Sequence, residues 1–486
     1  LIEADVPAGL LREGGNVVSV EAPGDTGVAA DIVFIDWIEI SYPRLLVAGA
    51  DRLSFDSLGG LQQLAGFTGP VSVFDVTDPE AVTRVAGIQE EQQGDRTAVA
   101  FQGEVGRRYL AVGPKGFLRP TRVARANTAP DLRASGNGAD YVAIGPPDLL
   151  EPLQPLLDWR EEQGLRVMAV PVGAVYDQFN YGLSEPEAIR AFLKYAVQSW
   201  QPAPRYLLLV GDATYDSRGY VAPPEANRLP SFLIPTIYGG ETASDVRFVQ
   251  LDGDLKPDLA VGRMPARTPR QVRILVEKTL GYERQAAEGE WRRRVLTVAD
   301  GQDPSFRTAA EAFIEQFPAG YQAVEVFPDA GAADANLEVT RQLNEGNLLV
   351  AYFGHGSVTQ WGKDRIFTTA DGAALTNGNR VPVVLNMTCL TGLFTHPKVD
   401  SLAETLLWQE GGGAVAVLAP TSLTLATDQT FLSRPLAEAL LQDQAPMLGQ
   451  AVLQAERQVP TEGAGTRDVM QTFLLFGDPA LRLAYP

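Results

Sequence analysis

The chain has 486 residues, 45% of them hydrophobic and 21% charged, the composition of a folded protein of two or three domains and not of a disordered one. Sixty acids against forty bases leave a formal net charge of −20, which argues against a nucleic-acid partner, because phosphate binding needs a basic face; the acidic surface favours calcium and solubility instead. A single cysteine excludes an internal disulfide, and no apolar run of about 18 residues is present to form a transmembrane segment.

The sequence begins at Leu1, without a basic and then apolar leader, so a processed product or a piece of a larger precursor is expected. Short alternating segments follow at Asn16–Glu21, Asp31–Ile40, Val71–Val76 and Thr97–Phe101, separated by Gly, Pro and Asp clusters. Alternation at that spacing predicts an all-β sandwich domain over residues 1–125. Residues 127–140 read as a linker by composition.

From Tyr141 onward strands alternate with helices. Tyr141–Ile144 is a strand, Leu149–Gln163 a helix stopped by Gly164, and Arg166–Val170 a second strand. Ser184 is placed to cap a helix with an acidic first turn. Arg205–Val210 is a buried parallel strand by its unbroken apolar character. A second series follows with Val295–Val298, Asn347–Phe353, Val381–Leu385 and Gly413–Leu418. The pattern predicts a three-layer α/β fold of two subdomains, residues 140–285 and 286–486.

The reactive residues sit in that second series. His355, one of two histidines, follows the strand ending at Phe353, and Cys389 lies 34 residues later at the end of the run Val381–Thr388. Parallel neighbouring strands would bring both groups to one crevice at their carboxyl ends, the meeting of thiol and imidazole that nucleophilic catalysis requires. Backbone N–H groups of Gly356 and Cys389 are the expected oxyanion donors. The other histidine, His396, reads as a loop residue. Asp252, Asp254 and Asp258 have the spacing of a calcium loop, so a structural calcium is considered, with Asp252 and Asp254 as ligands; the chemistry itself needs no cofactor.

The segment Gly354-His-Gly-Ser-Val-Thr-Gln-Trp-Gly362, the later Leu375-Thr-Asn377, the strand into Thr388-Cys389, Gly477-Asp-Pro-Ala480, the Gly211-Asp212 pair and the run Asp252–Arg263 together resemble the gingipain-type cysteine peptidases of the caspase-like clan. The resemblance covers residues 140 to 486. It implies a caspase-like fold and an exported cysteine endopeptidase acting on protein or peptide substrates, secreted or at the cell surface. It also makes Asp258, the acid before Leu-Ala-Val-Gly-Arg263, the carboxylate that orients His355. For the substrate pocket, Phe353 and Met387 flank the reactive residues and would make it apolar. Asp428 is either a pocket acid, as in lysine-specific relatives, or the capping aspartate of a helix. A basic substrate side chain is the best single expectation. Two other readings stay open: a sortase-like transpeptidase or signal peptidase of a secretion system, and a non-catalytic surface or assembly protein that keeps the fold.

Overall fold

Side chains alternate between buried and exposed along the long early strands and are buried throughout in the central strands of the later sheet, and the chain divides into two units, Leu1–Arg125 and Ala126–Pro486. The structure, a computed structural model, describes all residues except 1, 2, 8, 13, 22, 24–26, 28–37, 41–43, 122, 124–129, 222–226, 286, 287 and 333.

In the first unit the described strands are β1 (Arg52–Phe67), β2 (Ser72–Asp75), β3 (Thr83–Arg84), β4 (Gln89–Gln93) and β5 (Arg96–Val112). The expected sandwich takes the form of one connected antiparallel sheet, ordered β1-β5-β2-β3, with β4 also paired to β5. Long β5 carries β4 beside its first residues and β2 beside its last. Bulges between Asp56 and Leu58 and between Leu64 and Phe67 bend its ribbon with β1. Leu53, Leu64, Phe67, Val73, Phe101 and Tyr109 bury one face. Asn16–Glu21 forms no strand and exposes Val17, Val18 and Val20, since alternation needs a partner to bury against. Most of the segment Asp31–Ile40 lies outside the described residues.

The second unit begins earlier than its composition suggests. Leu132, in the expected linker, is fully buried, and its carbonyl accepts the Trp200 indole N–H at 3.2 Å. The strands are then β6 (Tyr141–Gly145), β7 (Val167–Pro171), β8 (Tyr206–Val210), β9 (Phe232–Thr236), β10 (Gly240–Ser244), β11 (Ala260–Met264), β12 (Arg294–Ala299), β13 (Gln322–Val326), β14 (Leu349–Phe353), β15 (Gly356–Ser357), β16 (Gln360–Trp361), β17 (Phe367–Thr368), β18 (Val383–Met387), β19 (Ala416–Pro420) and β20 (Phe473–Phe476). Ten of them form one sheet, ordered β13-β12-β14-β18-β19-β20-β11-β8-β6-β7. The two α/β halves on either side of residue 285 therefore share a sheet. β20 runs antiparallel to β19 and parallel to β11, so the strands of the two halves point in opposite directions. Carboxyl ends in one half lie at the edge where the other half has its amino ends.

Local chemistry adjusts the helices. Between Leu149 and Gln163 a 3-10 turn at Glu151–Leu153 separates Pro147–Leu150 from Gln154–Glu162, and Gly164 ends the segment at φ +88°. The next helix is Pro186–Ser199; Glu185 holds the cap position without a side-chain bond, and Pro186 supplies the start in place of the expected Ser184 cap.

Three buried charge clusters bind distant segments. Arg160, wholly buried, pairs with Glu283 and Asp478 at 2.7 Å each, and Tyr141 donates to Asp478 at 3.0 Å; the Gly477-Asp478 motif is thus a structural staple. Arg263 grips Asp245 through two bonds of 2.6 and 2.8 Å. Asp212, after β8, is pushed up to about 6 by burial against the pull of Arg267, which also reaches Asp400 and Glu404.

Lys278 donates to the Leu406 and Leu407 carbonyls at the end of the helix Leu402–Trp408. Burial pushes its ammonium down to about 7, below the ~10.4 of an unfolded lysine. The unfolded chain then binds more protons between those values, so this side chain adds stability as pH rises from 7 to 10 and loses it on the way down. Lys278→Met is expected to flatten that rise, measured by urea unfolding across the interval; an identical slope in both proteins rejects the assignment.

Candidate active site

β14 and β18 are parallel neighbours, with Phe353 opposite Met387, and the Gly354 N–H donates to the Met387 carbonyl at 3.3 Å. Two residues beyond this matched pair come His355 on one chain and Cys389 on the other. The loops stay together past the strand ends. A Cβ on Gly356 would overlap Thr388 Oγ1 and lie 2.7 Å from the Cys389 carbonyl oxygen. Its φ is not in the left-handed region, so glycine is required for close approach and not for a turn.

Cys389 is half-buried. Its Sγ lies 3.4 Å from the Thr424 carbonyl oxygen, to which the thiol donates, and 3.5 Å from the Thr424 amide. Burial pushes the thiol up, and the Thr424 bonds partly offset that. Thr424 belongs to the exit of β19. Gln429, buried near the start of the helix Ala426–Ala437, fixes it by donating at 3.0 Å to both Thr424 Oγ1 and the Thr388 carbonyl.

His355 is exposed, and its ring meets Phe306 edge-on at 5.1 Å. The backbone is fixed on three sides: its N–H donates to Asp300 at 3.2 Å, and its carbonyl accepts from the Tyr352 hydroxyl at 2.6 Å and the Gly362 N–H at 2.7 Å. Trp361 stacks on Tyr352 at 4.6 Å and donates to Asn386 at 2.9 Å, tying the hairpin β15–β16 to both reactive strands. Asp303 caps the helix Pro304–Ile314. Its carboxyl is held below the usual range by the Ser305 amide and hydroxyl, and further by the nearby His355. Asp303 is thus a carboxylate in electrostatic reach of His355, beside the Asp300 that holds its backbone. Among the described residues no hydrogen bond joins the imidazole to Sγ, whose bonds go to Thr424.

The profile of peptidase family C25 matches residues 134–484. The chain belongs to that family. Sequence relatives include gingipain R2 of Porphyromonas gingivalis, 26% identical over 301 residues, 58% of this chain and 36% of that protein. Lys-gingipain HG66 of the same species is 24% identical over 262 residues, 51% of this chain and 14% of that protein. The chain thus spans little more than a third of the first relative and less of the second. Among solved structures, the Arg-specific cysteine proteinase gingipain R (RgpB) superposes with a TM-score of 0.59 at 20% identity, covering 72% of this chain and 79% of that one. The dimeric latent PorU of P. gingivalis gives 0.54 at 18% identity, covering 91% and 40%. The caspase-like peptidase fold is shared with both.

Several residues of this C25 chain lie elsewhere than its sequence implies. Asp258 sits at the amino end of β11, accepts the Leu251 N–H at 2.9 Å and pairs with Arg457 at 3.6 Å. β19 and β20 stand between β18 and β11, roughly 14 Å at ~4.8 Å per strand, so Asp258 does not orient His355. Phe353 and Met387 are 3% and 1% exposed and fill the core beneath the strands. Asp428 is in the first turn of its helix, where Leu425 holds the cap position, and it packs against Gly465.

Asp252 and Asp254 each use one carboxylate oxygen in a turn, accepting from Asp254 N at 3.1 Å and Lys256 N at 2.7 Å. No three metal-binding side chains converge among the described residues. His396 accepts from the Lys398 and Val399 amides at 3.2 and 3.1 Å within its own loop. The residues that do reach the site and were missed are Asp300, Asp303, Phe306, Thr424 and Gln429. Asp303-Pro304 carries a legible signal, a capping aspartate before a first-turn proline.

Proposed function

We propose that this chain is a cysteine endopeptidase working through Cys389 and His355. The observation that carries the reading is the seating of Gly356 against Thr388 and Cys389, which fixes the histidine loop against the nucleophile loop. On substrate binding His355 takes the thiol proton, and Sγ attacks the scissile carbonyl carbon. The negative oxygen that forms is met by the N–H groups of Gly356 and Cys389. As the C–N bond breaks, His355 returns the proton to the departing amine, leaving a thioester on Cys389. A water molecule, deprotonated by His355, then hydrolyses the thioester and restores the thiol. Thiol, imidazole and amides supply every step, without a cofactor. Asp303, whose carboxyl is held low in part by His355, is the acid assigned to the orienting role in this scheme.

An exported setting, released or at the cell surface, follows from the likeness to the gingipains and belongs to the same proposal. Among the described residues no helix is long and apolar enough to cross a membrane.

Incubation with a peptide library under reducing conditions, followed by mass spectrometry, is expected to show internal cleavage. Products joined to an added amine would mark acyl transfer in place of hydrolysis, the sortase-like alternative. Intact peptides in the presence of an alkylatable Cys389 would leave the non-catalytic reading. Gly356→Ala is expected to lower kcat/KM on the order of 100-fold, because a shift of about 1 Å between reacting groups costs that much. Unchanged kinetics in that variant would reject the close seating as functional.

A further inference from the structure

The hairpin β9–β10 is built against the loop that holds the nucleophile, and its tip is apolar and uncovered. Thr236 pairs with Gly240 across a three-residue loop, Ile237-Tyr238-Gly239. Gly240 has φ +69°, the left-handed residue such a loop needs. A Cβ on Gly239 would overlap Ser422 Oγ, so the two glycines serve different ends, one for conformation and one for contact. The Thr236 and Ser422 hydroxyls bond at 3.0 Å, Thr242 donates to the Thr421 carbonyl at 2.6 Å, and the Ile237 N–H donates to Asp468 at 2.8 Å. Ser422 in turn accepts from the N–H of Leu390, the residue after the nucleophile, at 3.1 Å. The hairpin is thus locked two residues from Thr424, the residue bonded to Sγ.

What it presents there is out of keeping with a solvated turn. Ile237 and Tyr238 are 50% and 49% exposed, and Leu425, on the far side of the same loop, is 48% exposed. These three large apolar side chains stand on two segments bonded to one another, the second of which carries Thr424, the residue bonded to Sγ. Ordinary hairpin turns carry Asn, Asp and Gly, and isolated surface hydrophobics need no explanation, but several on segments tied to the Cys389 loop do.

Resting on the peptidase reading above, we propose that Ile237 and Tyr238 form a specificity subsite for a large aliphatic or aromatic side chain of the peptide substrate, near the scissile bond. The occupant is the substrate because the hairpin is bonded to Ser422, which accepts from the Leu390 N–H and lies two residues before the Thr424 that holds Sγ. The subsite asks for an apolar residue whatever the residue at the cleaved bond itself.

The test uses the whole chain with Cys389→Ala as a binder that does not turn over. Selection from a displayed peptide library is expected to enrich Leu, Ile, Val, Phe or Met at one fixed position. Adding Ile237→Ser and Tyr238→Ser should erase that enrichment and weaken binding of the best peptide about tenfold or more, while Ile237→Leu with Tyr238→Phe should keep it. Both side chains are half in solvent, so the serine pair leaves the fold intact, checked by circular dichroism. Equal enrichment in the serine variant, or selected peptides without a fixed apolar position, would overturn the proposal. The selected peptide is then given to the protein with its cysteine. Binding without cleavage would sink the peptidase reading and leave the subsite standing.

Discussion

Cys389→Ala is expected to remove peptide-bond cleavage, a loss on the order of 10⁶-fold in kcat, while the protein stays folded. Both halves of that expectation come from the environment of one sulfur. Among the described residues Sγ makes two long bonds, 3.4 and 3.5 Å, both to Thr424, and the side chain is half-buried. Its removal costs stability no more than about 1 kcal/mol. The chemistry has no substitute nucleophile. Cys389→Ser retains the shape, but a hydroxyl ionises far less readily than a thiol that burial has already pushed up. His355→Ala should lose nearly as much activity at no cost in stability, since that ring is exposed. In the proposed mechanism the two groups act as a unit, so the double variant should be little worse than either single one. Kinetics on a cleaved library peptide, with thermal unfolding alongside, decide the matter. Residual turnover within tenfold of the parent, or unfolding of Cys389→Ala, would return Cys389 to the role of a small core residue.

The reach of sequence reasoning here follows the geometry of sheets. Asn347–Phe353 and Val381–Leu385 are unbroken apolar runs, legible as buried parallel strands, and the Gly-His-Gly segment and the lone cysteine at their exits mark the reactive edge. β14 and β18 are neighbours with Phe353 opposite Met387. Side-chain burial was less legible. Phe353 and Met387 lie only two residues before His355 and Cys389, yet they belong to the core, because they are the last residues of strands covered on both faces, whereas His355 and Cys389 lie past the strand ends. Strand order was least legible. β12 pairs with β14, so the exit of β12 delivers Asp300, Asp303 and Phe306 to His355. β11, which carries the motif around Asp258, joins the sheet on the far side of β20. A linear sequence does not state which strands pair. The resemblance points to the acid before Leu-Ala-Val-Gly-Arg263, whereas the pairing of β12 with β14 places the one before Pro304 beside His355.

That same motif holds the second large effect. Asp245→Ala is expected to destabilise the protein by about 3 to 5 kcal/mol, the cost of leaving a buried charge without its partner. Arg263 has no exposed surface, and Asp245 is the acid it grips, at 2.6 and 2.8 Å. Its remaining donors go to the Gly211 and Leu229 carbonyls at 2.7 and 3.0 Å, and its guanidinium lies 5.0 Å from the Phe394 ring. One side chain therefore joins the exit of β8, the end of β10 and the loop that follows Cys389, which spans both α/β halves. Arg263→Met alone should also destabilise, by freeing two buried carbonyls and stranding Asp245. The pair Arg263→Met with Asp245→Ala removes both charges together and should recover part of the loss, since no uncompensated ion remains. Activity of the folded fraction should not recover with it, because Phe394 keeps no cation beneath its ring and the loop behind the nucleophile loses its anchor. Urea unfolding of the three variants gives the stabilities, and turnover at saturating peptide gives the rest. A cost below about 1 kcal/mol for Asp245→Ala would mean that water reaches this pair and that the motif earns its place by other means.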